Sequence, residues 1–143
     1  MKKAEFIPEL ITGNEIIDDQ HGAMIEAINS LYAALECGKG TEKAEEALRF
    51  LTLYTVFHFG GEENLWQEVG YPEYGKHKAA HDAFVEVVKE LHDDLAAGGA
   101  TEAFAERVEQ EVTKWFLEHI QGMDLQAIKW ARFHAGKQLH DII

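Results

Sequence analysis

The chain has 143 residues, 46% hydrophobic and 10% aromatic, which suits one domain with a real apolar core and argues against disorder. A formal net charge of -13 disfavours nucleic acid and anionic membrane as partners, since both are bound through clustered Lys and Arg. Cys37 stands alone, so no internal disulfide can form, which suits a reducing compartment. It is otherwise expected to be inert at a helix end. No apolar run approaches the roughly 18 residues of a membrane span, and Met1 to Pro8 carries two lysines without a secretory core. A soluble cytoplasmic protein is the expectation.

After an N-terminal arm, glycine-containing breaks at Gly38-Lys39-Gly40, Gly70 to Gly75 and Gly98-Gly99 each close one apolar-periodic segment before the next. The spacing predicts helices over 18–37, 41–69, 73–97 and 101–122. Thr41 and Thr101, each followed by a glutamate, are expected as N-caps. Residues 125–143 are expected to continue the last helix or to form a short helix over the bundle end; docking to a partner is the alternative for this mixed apolar and basic tail. Short connections between long helices make neighbours antiparallel. The fold class is therefore all-α, an up-down-up-down four-helix bundle over about 18–124 within a single domain of 1–143.

Each helix carries an inward seam at alternating three and four residue steps. The first runs His21, Ile25, Ile28, Tyr32, Leu35, and the second Ala44, Leu48, Leu51, Thr55, His58, Glu62, Leu65, Val69. The third runs His77, His81, Phe84, Val88, Leu91, Leu95. The fourth is less regular: Phe104, Val108, Val112, Trp115, His119. Antiparallel topology brings the histidines of all four seams, with Glu62, to one end of the bundle. A lone histidine on an apolar face is ordinarily a hydrogen-bonded core residue, but five in register with a glutamate are not, and an unpaired buried carboxylate is costly. His92, His134 and His140 lack such partners and read as surface residues.

Residues four apart on a helix share a face, so His58 with Glu62, and His77 with His81, can reach one metal centre. Asp124 lies five residues beyond His119, a rotation of about 140° in an α-helix. The backbone must unwind or bulge for both to ligate, and Gly122 could permit it. Imidazole with carboxylate suits iron, and also zinc, copper or manganese; no cysteine stands in the cluster. Seven protein ligands exceed the needs of one tetrahedral zinc. Two octahedral metals would take five imidazoles, two bridging carboxylates and one shared oxo or hydroxo oxygen, leaving one position open for a small diatomic ligand. The glutamate and Glu-x-x-His pattern of ferritin-like di-iron oxidases is absent.

From Phe6 to Asp124 the chain resembles the hemerythrin family, specifically its single-domain bacterial members. The stretches that carry the likeness are "GNEIIDDQH" ending in His21, "HFGGEE" with His58 and Glu62, "GYPEYGKHKAAH" with His77 and His81, and "WFLEHIQGMD" with His119 and Asp124. The resemblance implies that His77, His81 and His119 bind one iron, that His21 and His58 bind the other, and that Glu62 and Asp124 bridge the two. It implies a non-haem di-iron, oxo- or hydroxo-bridged protein that binds O2 reversibly as hydroperoxide at the open site of the second iron. Storage, transport or buffering of oxygen is the expected role, and no enzyme activity is expected. The alternatives are an oxygen or redox sensor signalling to a partner, and a di-iron oxidase or peroxidase. Phe59, Trp115, Phe116 and Ile120 are the candidates for lining the O2 pocket. The chain departs from the family pattern at Phe116, Phe6 and Trp66, where Leu, Trp and Met are usual. Gly60 and Gly61 within a helix each cost about 1 kcal/mol relative to Ala. By helical geometry Gly60 is expected to point away from the seam and Gly61 to flank it; their role is either tolerated variation or an opening near His58.

Overall fold

The computed structural model describes residues 4–36 and 40–142, with side chains through His134. Cys37 and the side chain of His140 lie outside the described residues. A 3-10 turn at Pro8–Leu10 is followed by α1 (Glu15–Glu36), α2 (Gly40–Glu68) and α3 (Tyr74–Gly98). The fourth rod is a continuous helical run in five pieces. These are α4 (Glu102–Val108), a π segment at Glu109–Thr113, α5 (Lys114–His119), a second π segment at Ile120–Asp124, and α6 (Leu125–Ile142). The molecule is all-α, with sequential helices packed as neighbours in a four-helix bundle.

Local chemistry explains the helix ends. Helix α1 starts at Glu15, three residues before the expected 18, because Asn14 Oδ1 accepts the Ile17 N–H at 3.1 Å and caps the first turn. Thr101 is the expected N-cap of α4, its hydroxyl accepting from Phe104 N–H at 3.1 Å. Thr41 is not a flanking cap, since α2 already begins at Gly40. The tail continues the last helix as α6, as one of the two structural expectations for it had it.

Inward positions hold over most of the first three helices, where Ile25, Ile28 and Tyr32, Leu48 and Leu51, and Phe84, Val88 and Leu91 are buried, while Leu35, Leu65 and Val69 at the seam ends are half-buried. The fourth rod departs from its expected seam. Phe116 is 1% exposed and Trp115 only half-buried, because the π segment at Glu109–Thr113 inserts a residue into one turn and advances the inward face by one position. Within that segment Val112 and Thr113 are both buried, and Thr113 pairs with the hydroxyl of the buried Tyr32. Burial pushes the Tyr32 phenol up from its usual range.

Two apolar clusters flank a polar layer. The larger runs from Met24 through Leu48, Leu91 and Val108 to Phe116, and the smaller comprises Ile17, Trp66, Tyr71, Ala127 and Ile128. Along every helix the expected metal ligands fall between them. The N-terminal arm closes this end. Asp18 accepts from Thr12 N–H (3.0 Å), Thr12 hydroxyl (2.7 Å) and Gly13 N–H (3.1 Å), while Arg132 on α6 donates to the Thr12 carbonyl at 3.2 Å. Gly13 takes φ +90°, which favours glycine, and a Cβ there would also push the Arg132 guanidinium aside.

Two expected surface histidines are partly buried. Thr52 donates its hydroxyl proton to the Leu48 carbonyl, so His92 Nε2–H donates to Thr52 Oγ1 at 2.8 Å. His134 Nδ1–H donates to the Trp130 carbonyl at 3.0 Å and stacks on the same indole.

Candidate metal centre

All seven candidate ligands sit inside the bundle, none more than 5% exposed: His21 from α1, His58 and Glu62 from α2, His77 and His81 from α3, His119 closing α5 and Asp124 closing the second π segment. That last segment resolves the five-residue interval. Its i to i+5 hydrogen bonding stacks residues five apart, so Asp124 comes beneath His119 with Oδ1 3.1 Å from Nε2. Gly122 lies within the bulge, with open space where a Cβ would stand.

The ligand atoms sort into two groups sharing both carboxylates. Glu62, His77, His81, His119 and Asp124 form one, and His21, His58, Glu62 and Asp124 the other; within each, the ligand atoms lie within 4.8 Å of one another. Asp124 Oδ1 faces His77 Nε2 at 2.9 Å, while its Oδ2 lies 3.0 Å from His21 Nε2. Glu62 Oε1 is 3.3 Å from His81 Nε2 and 3.4 Å from His58 Nε2, and its Oε2 is 3.9 Å from His21 Nε2. Each carboxylate thus spans both groups.

Protein hydrogen bonds satisfy this cluster only in part: His77 Nε2 pairs with Asp124 Oδ1 and His81 Nε2 with His119 Nε2. Both oxygens of Glu62, Asp124 Oδ2, and the Nε2 atoms of His21 and His58 are buried without a hydrogen-bond partner; the short His21 to Asp124 approach is not aligned for one. Buried polar atoms in native proteins are almost always paired, and cations are what an oxygen and imidazole set of this kind can hold. The donor set fits two ions.

Electrostatics agree with that fit. Burial pushes the Glu62 carboxyl well above the carboxylate range, and the neighbouring Asp124 pushes it further. Burial alone would raise Asp124 too, but the imidazoles of His119, His21 and His77 outweigh it and hold the group well below its ordinary value. Burial, then the proximity of His21, lowers His58 to about 3; burial, then His119, lowers His81 to about 2. These imidazoles stay neutral near pH 7, the form that ligates.

Outer partners orient two of the rings. His58 Nδ1–H donates to Gln20 Oε1 at 2.7 Å, and His81 Nδ1–H donates to Glu63 Oε2 at 2.9 Å, so both present Nε2 lone pairs inward. Sequence reasoning missed Gln20 and Glu63. The signal was present, since each adjoins a ligand in the chain and carboxylate–histidine–metal chains are common.

Of the expected pocket residues, Phe59 stacks on His81 with ring centroids 3.8 Å apart, Trp115 stacks on His119 at 4.5 Å, and Phe116 meets His21 edge-on at 5.7 Å. Ile120 is fully buried in the larger apolar cluster. Trp66 is a wall residue that was not expected as one, tilted against His77 at 5.7 Å and wholly buried. Phe6 is 38% exposed. The glycines reverse their expected placement: Gly60 is half-buried in a groove shared with Phe59, Glu63 and His81, and Gly61 faces solvent.

The comparisons with known proteins agree with this geometry. Residues 12–131 match the Hemerythrin family, described as the hemerythrin HHE cation binding domain. A bacteriohemerythrin of Stenotrophomonas maltophilia is 32% identical over 116 residues, covering 81% of this chain and 73% of its own. One from Pseudomonas aeruginosa is 30% identical over 133 residues, covering 93% and 84% respectively. A solved wild-type hemerythrin superposes with a TM-score of 0.75 at 27% identity, covering 87% of this chain and 95% of that one. With its family domain, relatives and buried histidine–carboxylate cluster in accord, the chain belongs to the hemerythrin family.

Proposed function

We propose that the chain holds two non-haem iron ions and binds molecular oxygen reversibly, for storage, transport or buffering, rather than turning over a substrate. His77, His81 and His119 would hold one ion, His21 and His58 the other, with Glu62 and Asp124 bridging alongside a shared oxo or hydroxo oxygen. The supporting observation is the division of seven buried side chains into two groups with both carboxylates in common. Two ferrous ions there would supply the electrons for reversible binding of O2. The protein's part is to orient and to enclose. Gln20 and Glu63 hold two imidazoles with Nε2 inward, and Phe59, Trp115 and Phe116 cover the rings and keep bulk water away. Those walls favour a small ligand over a bulky substrate.

The test is to measure iron per purified chain and to follow the visible spectrum through repeated oxygenation and deoxygenation. The carrier reading expects two irons per chain and oxo-bridge charge-transfer bands that appear and vanish over many cycles. Rapid conversion to a stable oxidised form, or turnover with added reductant, would replace it with sensing or catalysis.

A further inference from the structure

Helix α2 buries one face against the bundle and presents another that is scarcely less apolar. Phe50, Leu53 and Phe57 are each more than half exposed, and Tyr54 is half-buried among them. Their spacing of three and four residues makes one stripe, within which Phe50 stacks on Tyr54 at 6.1 Å and Tyr54 meets Phe57 at 5.8 Å. Most exposed apolar residues of soluble proteins are scattered singly; a contiguous aromatic stripe marks a contact surface.

At about 100° per residue, Lys43 and Glu46 continue this stripe toward the N-terminus, and Gly61, Asn64 and Glu68 toward the C-terminus. Two copies of α2 laid antiparallel about a two-fold axis near Thr55 and Val56 bring complementary groups together. Lys43 meets Glu68, Phe50 meets Gly61, and Tyr54 meets Phe57, each twice by symmetry. Glu46 then faces Asn64. A parallel arrangement instead sets Glu46 against Glu46 and Glu68 against Glu68. Gly61 supplies the shelf, because nothing lies within 4 Å of where its Cβ would be and a ring from the other copy can settle on bare backbone. Lys43 is already within 3.3 Å of Glu46 in its own chain, an exposed contact of little worth that leaves it free to turn.

We propose that the outer stripe of α2 is a homodimer surface, two copies packing antiparallel with Phe50 of each seated on Gly61 of the other. A single helix pair is small beside the roughly 1,600 Å² of a standard interface, so the association is weak and reversible. It is independent of whatever the buried centre binds.

The test is sedimentation velocity of the full chain from low micromolar to millimolar concentration, with far-UV circular dichroism to confirm the fold of every variant. A monomer–dimer equilibrium is expected. Replacing Phe50 and Phe57 together by Glu, both on the solvent face, should weaken it by more than about tenfold. Gly61→Leu fills the shelf without touching the bundle and should weaken it likewise. Lys43→Glu should weaken the dimer and the Lys43→Glu/Glu68→Lys pair restore it, a rescue that antiparallel pairing alone predicts. A chain monomeric throughout, a dimer indifferent to the Phe substitutions, or a failed rescue would overturn the proposal. So would a monomer that instead uses the stripe to bind phosphatidylcholine vesicles.

Discussion

The two ends of the bundle employ the same backbone device to different effect. At the apolar end, the π segment Glu109–Thr113 turns Thr113 inward to pair with Tyr32 and carries Phe116 rather than Trp115 into the core. At the polar end, the π segment Ile120–Asp124 turns Asp124 under His119, where it also faces His21 and His77. An extra residue in a helix is tolerated wherever it pairs a buried polar group. Only where several elements converge on the same atoms does it also fix a site.

Breaking the polar end should have the largest effect. Inserting one alanine after Gly122 lengthens the His119 to Asp124 interval to six residues and rotates Asp124 by about 100° away from the cluster. Loss of most bound iron with helicity retained is expected by metal analysis and circular dichroism, and Asp124→Ala should do the same without disturbing α6. The matching change at the apolar end, Thr113→Val, strands the Tyr32 hydroxyl and should cost about 1–3 kcal/mol by urea unfolding. Adding Tyr32→Phe should return most of that, with iron content unchanged by either. If Thr113→Val also empties the site, the two ends are not separable.

Acid should distinguish the ends next. In the metal-free protein His58 and His81 have folded values below the ordinary 6.5, so their contribution is full above about pH 6.5 and is lost as pH falls toward 3. Glu62 is raised, so its contribution has the opposite sign, present in acid and lost as pH rises through its folded value. Two lowered histidines outweigh one raised glutamate, so the stability of the metal-free protein should fall as pH drops below 6.5, less steeply than the histidines alone would make it. Glu62→Gln removes the offset and should steepen the fall, whereas the Thr113 variants should run parallel to the parent. The smallest effect is Gly60→Ala, which meets open space and should raise stability by up to about 1 kcal/mol. Slower oxygen binding in that variant would identify the groove beside His81 as a path.

The helices and the cluster were legible in the sequence because both rest on periodicity: apolar steps of three and four name the inward faces, and histidines in register on those faces name a common depth. The five-residue interval from His119 to Asp124 even required a bulge, which the structure supplies at Gly122. The bulge at Glu109–Thr113 left no such trace. A one-residue insertion changes no composition, and it shows only in a seam that steps to Trp115 while the core takes Phe116. Gln20 and Glu63 adjoin ligands in the chain, but adjacency alone does not name them, since their partners are Nδ1 atoms whose direction depends on how each ring turns between helices. Thr41 failed as a cap because residues flanking a helix and residues in its first turn have similar composition.

The clasp of Asp18, Thr12 and Arg132 joins residues 120 positions apart. Asp124, too, emerges late from the ribosome. A nascent chain that has released α1 to α3 already displays four imidazoles and Glu62 but neither the second carboxylate nor the strap that shuts this end. A chain cut short after α3 should therefore hold a metal ion less tightly, and exchange it faster, than one that carries Asp124 and the strap.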